Sequence, residues 1–407
     1  MTIFLFVQLK GRFALKKGIH QEGSSRHFLI LIAIIIVAGL SQGLLLPVLS
    51  IFIEKMGVSS SVNGMNAAVM YVGSFAMTLV AERILGAVGF KKLIVAGLIV
   101  VMIPLILFPI IPDLRLWFLL RFLVGIGDSA LHYATQLWVL LVTPTGSRGR
   151  NISIYGMSYG IGFSLGPLGI KLLDTNQMLP FAILFLIMLV VLFFALRLPD
   201  TRPEKMSSTD QVKGRYRKGF ILAWYALLPA FLYGYMESGM NSNFPIYGLR
   251  IGFTENDIST LLPFVGIGGL LLQLPLGALS DKYGRKKILM ISGILGGLFF
   301  LMIPVVGTHF WYTLILLTLA GGLVGSFFSL GLAYAADILP KQLLPSANVV
   351  ASFQFNIGSI LGPNLGGIML GLGAPGAMFW LLGGCYLVFG IAGFFFRSKQ
   401  GSNIKRI

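Results

Sequence analysis

Residues 277–287 read GALSDKYGRKK, and residues 82–92 read ERILGAVGFKK. Each is a short basic loop between two apolar runs. The lysine pairs at their ends, Lys91 with Lys92 and Lys286 with Lys287, stand 195 positions apart. Two further landmarks repeat at an offset of 196: Gly166-Pro167 with Gly362-Pro363, and Pro144 with Pro340. Three matches at offsets of 195–196 point to a duplicated unit. Outward from these loops, apolar stretches long enough to cross about 30 Å of hydrocarbon as helices recur along the chain. They are placed at 28–53, 61–81, 93–111, 116–142, 151–173, 178–197, 220–247, 258–280, 288–307, 310–337, 346–371 and 377–396, six in each unit.

Composition sets the solvent. Charged residues are 11% of the chain, against roughly 25% in a soluble domain. The apolar set reaches 56%, and the mean hydropathy is +0.87. A soluble fold of 407 residues has no core large enough to hide that surface. The expected class is therefore an all-α membrane protein of two six-helix bundles. The polar stretch 199–219 is the one credible linker, dividing a bundle at 28–198 from one at 220–397. Residues 1–27 are an expected cytoplasmic N-terminal segment, either a basic amphipathic surface segment or an ill-ordered extension, and 398–407 a cytoplasmic tail. Ile3 to Val7 is too short, and lacks the preceding basic segment, for a cleavable signal. The single cysteine, Cys385, excludes disulfides and Cys-based metal sites.

The formal charge of +17 would suggest nucleic acid in a soluble protein. Its placement says otherwise. With the N-terminus inside, 26 of the 31 Lys and Arg fall on the cytoplasmic side and four outside, with Arg121 inside a span. That bias orients both termini to the cytoplasm, in the plasma membrane, and turns the positive charge to anionic lipid headgroups.

The loop Gly277, Asp281, Gly284, Arg285, Lys286 resembles the loop signature of the major facilitator superfamily, G-x-x-x-D-x-x-G-R-[RK]-[RK]. Arg121, Gly125 and Gly127 are similar to the family's R-x-x-x-G-x-G in span four. Span five carries Gly162, Gly166, Pro167 and Gly169, and span eleven Gly358, Gly362, Pro363, Gly366 and Gly367, similar to the Gly-Pro element of the family's antiporters. The resemblance covers essentially the whole chain and implies the twelve-span drug:proton antiporter branch, a secondary transporter without enzymatic activity. One departure stands out: the loop after span two has Glu82 at the first Gly position and Gly86 at the Asp position. The gate ascribed to that loop is expected to move to Asp281, docking near the start of span five or onto Arg148 or Arg150. Independently of the resemblance, small residues four apart let helices approach closely, and the Gly-Pro pairs add a point of bending.

A charge at the bilayer centre costs about 2.5–3.5 kcal/mol even on the lenient scale, so each needs a reason. Arg121, Asp128 and Glu237 lie within spans. On span four, Arg121, Gly125, Asp128, His132, Thr135 and Gln136 share one face. Asp128 and His132, at i and i+4, are placed to touch. On span seven, Tyr233, Glu237, Asn241 and Phe244 form a second stripe. Gln42, Gln273, Gln354 and Asn356 offer further polar lining. Two readings stand: these faces line a central cavity where Glu237 or Asp128 takes up and releases a proton, with His132 and Arg121 assisting; or Arg121 and Asp128 merely neutralise each other, and single interhelical bonds explain the amides.

No phosphate-cradling P-loop and no zinc-type spacing are present. Energy is expected from an ion gradient, H+ in the first place, with no cofactor. The expected function is proton-coupled export of small amphiphilic or lipophilic molecules by alternating access, as a monomer among membrane lipids. The alternatives are an importer or uniporter of a small polar solute, such as a sugar or organic acid, and a non-transporting sensor or lipid-handling protein on the same fold.

Overall fold

The computed structural model describes residues 21–143, 148–202, 215–374 and 376–396. Twelve helical rods run through these residues: α1 Gln21–Lys55, α2 Ser60–Val88, α3 Phe90–Ile110, α4 Leu114–Val142, α5 Arg148–Leu165 and α6 Leu179–Ala195 in the first half. The second half has α7 Arg215–Ile251, α8 Glu255–Tyr283, α9 Arg285–Val306, α10 Phe310–Ile338, α11 Leu344–Gly371 and α12 Ala377–Phe395. Residues 1–20, Pro144, most of the expected linker and the tail from 397 lie outside the described residues, as do the side chains of Arg148 and Arg150.

Eight of these rods are apolar and long enough to cross a membrane by length and composition alone. The other four are α4, α5, α6 and α11. Of these, α6 is a purely apolar helix of 17 residues. The remaining three carry the charges, glycines, serines and amides that the centre of the molecule requires, so their sequence is less apolar than a lipid-facing helix.

The two halves pack alike. Where α1 crosses α5, a Cβ on Gly39 or Gly43 would overlap the backbone carbonyl of Tyr159 or Phe163, and one on Gly162 the carbonyl of Ile36. Where α7 crosses α11, Gly234, Gly358 and Gly362 stand equally close to the carbonyls of Phe355, Phe231 and Tyr235. Lipid tails are as apolar as the side chains, so such backbone contact, not hydrophobic burial, holds membrane helices together.

The Gly-Pro pairs act differently in the two halves. At Gly166-Pro167 the α-helix ends and continues as a 3-10 helix, Gly166–Asp174, whereas α11 stays α-helical through Pro363. The two Gly-Pro pairs thus differ in local helix type.

The two basic loops, 82–92 and 277–287, are also equivalent. Gly89 (φ 86°) closes α2 and Gly284 (φ 94°) closes α8 in conformations that L-side chains rarely adopt. Each loop is pinned to the chain leaving the last helix of its own half. Phe90 N–H donates to Thr201 O (3.0 Å), with Lys92 at 3.8 Å from Asp200, and Lys286 Nζ donates to Phe396 O (2.7 Å).

The packing predicts a contrast between two glycine-to-alanine substitutions. Gly43→Ala should lower the detergent Tm by the equivalent of about 1–3 kcal/mol, the usual cost of overpacking. Gly86→Ala, with open space around the new Cβ, should leave it unchanged. Equal Tm values for the two variants would contradict the packing account.

Candidate functional site

The centre of the molecule holds two chambers. The first, about 100 Å³, lies among α5, α7, α8 and α10 and is lined by Tyr233, Glu237, Asn241, Gln273, Phe163 and Ser329 among others. The second, about 230 Å³, lies among α1, α2, α4, α5, α10 and α11 and is lined by Gln42, Tyr71, Phe75, His132, Gln136, Phe355 and Asn356 among others. Among the described residues, Glu237 is the one carboxylate in either lining, and neither lining contains Lys or Arg.

Glu237 is 7% exposed and accepts a hydrogen bond from Tyr233 Oη at 2.9 Å, one helical turn back on α7. Asn241 donates from Nδ2 to the Glu237 backbone carbonyl at 2.8 Å. This stripe matches its expected arrangement, except at its outer end. Phe244 turns away from the chambers and packs edge-on against Phe379 of α12, with ring centroids at 6.4 Å. Gln354 also falls outside both linings.

The α4 charges sit apart from both chambers and apart from each other. Arg121, 1% exposed, donates from Nε to Asn66 Oδ1 of α2 at 2.9 Å, and its two terminal nitrogens have no hydrogen-bond partner among the described residues. Asp128 is fully buried with neither oxygen in a closed hydrogen bond, beside the Gln42 side chain. The mutual neutralisation of Arg121 and Asp128 is therefore not formed. Nor is the Asp128–His132 contact: the imidazole instead stacks edge-on against Tyr159 of α5, with centroids at 4.6 Å, and its Nε2 is unpartnered. Spacing of i, i+4 gave proximity along the helix, but the ring follows a neighbour on another helix.

The two ends of the molecule differ. At the end holding Glu54, two ion pairs join the halves. Arg250 grips Glu54 in a two-point fork, Nε to Oε1 at 2.7 Å and Nη2 to Oε2 at 3.2 Å, and also donates from Nη1 to Leu370 O at 2.9 Å. Lys55 pairs with Glu255. Glu54 and Arg250 stand 196 apart, at equivalent ends of α1 and α7. The Gly64 and Gly367 backbones close the same end, against Pro363 and Ser60 across the α2–α11 seam.

At the opposite end the described pairs stay within one half. Arg285 joins Asp281 (3.1 Å) and Asp337 (2.8 Å). Asp281 is thus engaged by its own loop in this arrangement, with the Glu54 end closed. Among the described residues no three His, Cys, Asp or Glu gather as a metal site requires.

Tyr71, Tyr159, Asn66 and the Glu54–Arg250 clasp were not singled out from sequence. Only the clasp left a signal, opposite charges at the 196 offset.

Two bundles of six helices, repeated in sequence and holding polar chambers between them, are the architecture of a membrane transporter. The profile of the Major Facilitator Superfamily matches residues 31–269 and again 227–406, and the chain belongs to that family. It is 39% identical, over 84% of its length and 88% of the relative's, to the uncharacterized MFS-type transporter YfkF of Bacillus subtilis strain 168. It is 24% identical to multidrug resistance protein 2 of the same organism, over 88% and 92% of the two chains. Among solved structures it is similar to the nucleoside transporter NupG (TM-score 0.71, 16% identity, covering 91% and 98%). It is also similar to a bacterial homolog of the human lysosomal transporter Spinster (TM-score 0.70, 14% identity, covering 92% and 96%). These two likenesses concern the fold.

A partly exposed pair is worth about 0.2–1 kcal/mol, and forked geometry raises that. Removing it should loosen the closed end without unfolding it. With Cys385→Ser as background, Ser60→Cys should react several-fold faster with a charged maleimide when Arg250→Gln is added. The swap Glu54→Arg with Arg250→Glu should restore slow labelling. Unchanged labelling in Arg250→Gln would remove the clasp from the account.

Proposed function

We propose that the protein is a proton-coupled exporter of small amphiphilic or lipophilic molecules, driven by an ion gradient without a cofactor. It works by alternating access of its two bundles, as a monomer in the cell membrane, with both termini in the cytoplasm and the Glu54 end outside. The distribution of Lys and Arg supports that orientation. The observation that carries the reading is Glu237, a buried carboxylate facing a chamber between the bundles, with a neutral tyrosine as its hydrogen-bond donor. An acid in that setting can lose its proton to one side and regain it from the other. The aromatic lining suits lipophilic solutes, and the similarity to a multidrug resistance protein supports export.

A second reading is favoured by one feature. The larger chamber offers the amides Gln42, Gln136 and Asn356 among aromatic rings, without Lys, Arg, Asp or Glu. Such a lining also suits a small uncharged polar solute, taken up or equilibrated, and the fold is shared with a nucleoside transporter. A non-transporting sensor on the same fold predicts no flux at all.

Proteoliposomes with an imposed pH gradient, screened over a compound panel, decide among the three. Under the proposal, Glu237→Gln abolishes gradient-driven flux while the protein stays folded and still binds the transported compound, and Asp128→Asn tests the second carboxylate. Full gradient-driven flux in both variants would defeat proton coupling at these residues. Flux of uncharged polar solutes alone, indifferent to the gradient, would favour the second reading.

A further inference from the structure

The two chambers meet at one side chain. Among the described residues, Tyr159 alone lines both. Its ring lies between Phe163 on the Glu237 side, at 5.8 Å, and His132 on the other, at 4.6 Å. Its hydroxyl donates to Gln42 Oε1 at 2.7 Å, a buried bond between α5 and α1. The backbone of α1 at Gly39 presses against the same residue, where an added Cβ would stand 3.2 Å from the ring's Cδ2. The ring is thus backed by a helix on one side and tethered at its tip.

We propose that Tyr159 is a positioning residue of the transport cycle, a tethered partition that separates the charge-free chamber from the one holding Glu237. A solute in the larger chamber meets aromatic rings and amides first and reaches the carboxylate only when this ring leaves its place. Leaving breaks the bond to Gln42, so the tether sets how often the partition opens. Gln42 lies beside Asp128, so the anchor of the partition is also the neighbour of the second buried carboxylate.

The inference rests on the reading that solutes pass between the bundles, but its test does not use the gradient. Val265, 7% exposed, lines the Glu237 chamber, whereas Ser352 lines the other. Each is replaced by cysteine in the Cys385→Ser background, and the purified protein is treated with a charged maleimide. Tyr159→Ala should speed labelling of Val265→Cys at least tenfold and leave Ser352→Cys unchanged. Tyr159→Phe, which keeps the ring and loses the tether, should give a rise of a few-fold, as should Gln42→Met. The two combined should give no more than either alone. A merely structural tyrosine would change both cysteines together and lower the Tm.

If Tyr159→Ala does not yield folded protein, Tyr159→Phe and Gln42→Met carry the test between them. Val265→Cys labelling as slow in those variants as in the parent, or additive effects of the two, would overturn the tethered partition. An absence of pH-driven flux in the unaltered protein would instead overturn the proton reading, with the labelling result still standing.

Discussion

Helix backbones in this protein touch without side chains between them, and the rest of the structure depends on that contact. In lipid, apolar surface gives no reason for helices to associate, so packing must come from close approach. Gly39, Gly43 and Gly162 supply it between α1 and α5, and Gly234, Gly358 and Gly362 between α7 and α11. Within each half these crossings bring the backbones together around the polar groups at the centre. The same device is used more sparingly between the halves, at Gly64 and Gly367, where Glu54–Arg250 and Lys55–Glu255 add ionic contacts. The α2–α11 seam between the halves is as extensive as the α1–α5 crossing within one, and the two ion pairs stand beside it at the Glu54 end.

Buried charge is distributed unevenly between the chambers and the packed interior. Glu237 faces a chamber, while Asp128 and Arg121 are sealed within their bundle and not paired with each other. A sealed, mutually neutralised pair would be mainly structural.

Much of the fold was legible because its signals are properties of the sequence alone: apolar length, basic loops on one side, and landmarks repeated at 195–196 residues. The expected spans fall on the observed rods, and the rods that fail a simple apolarity test are largely those built around the centre. The site was legible only by helix. Faces of α4 and α7 could be drawn from 100° periodicity, and Glu237, Tyr233 and Asn241 lie together as drawn. What failed was contact across helices. Nothing in span four says that His132 will stack on Tyr159 instead of meeting Asp128, or that Arg121 will find Asn66. Phe244 belonged to the right stripe, yet the stripe turns towards α12 at that level. Tyr159 is one of 13 tyrosines, and its importance exists only where two chambers meet.

The central claim is that two rigid halves rock about this polar centre, closing one end as the other opens. Spin–spin distances measured by pulsed EPR test it most directly. Label pairs would join Met56 to Tyr312 across the Glu54 end, Ala87 to Tyr283 across the Asp281 end, and Met56 to Met178 within one half. On changing pH or adding a transported compound, the account predicts that the first distance lengthens, the second shortens and the third holds. Equal changes within a half, or both ends opening together, would contradict it.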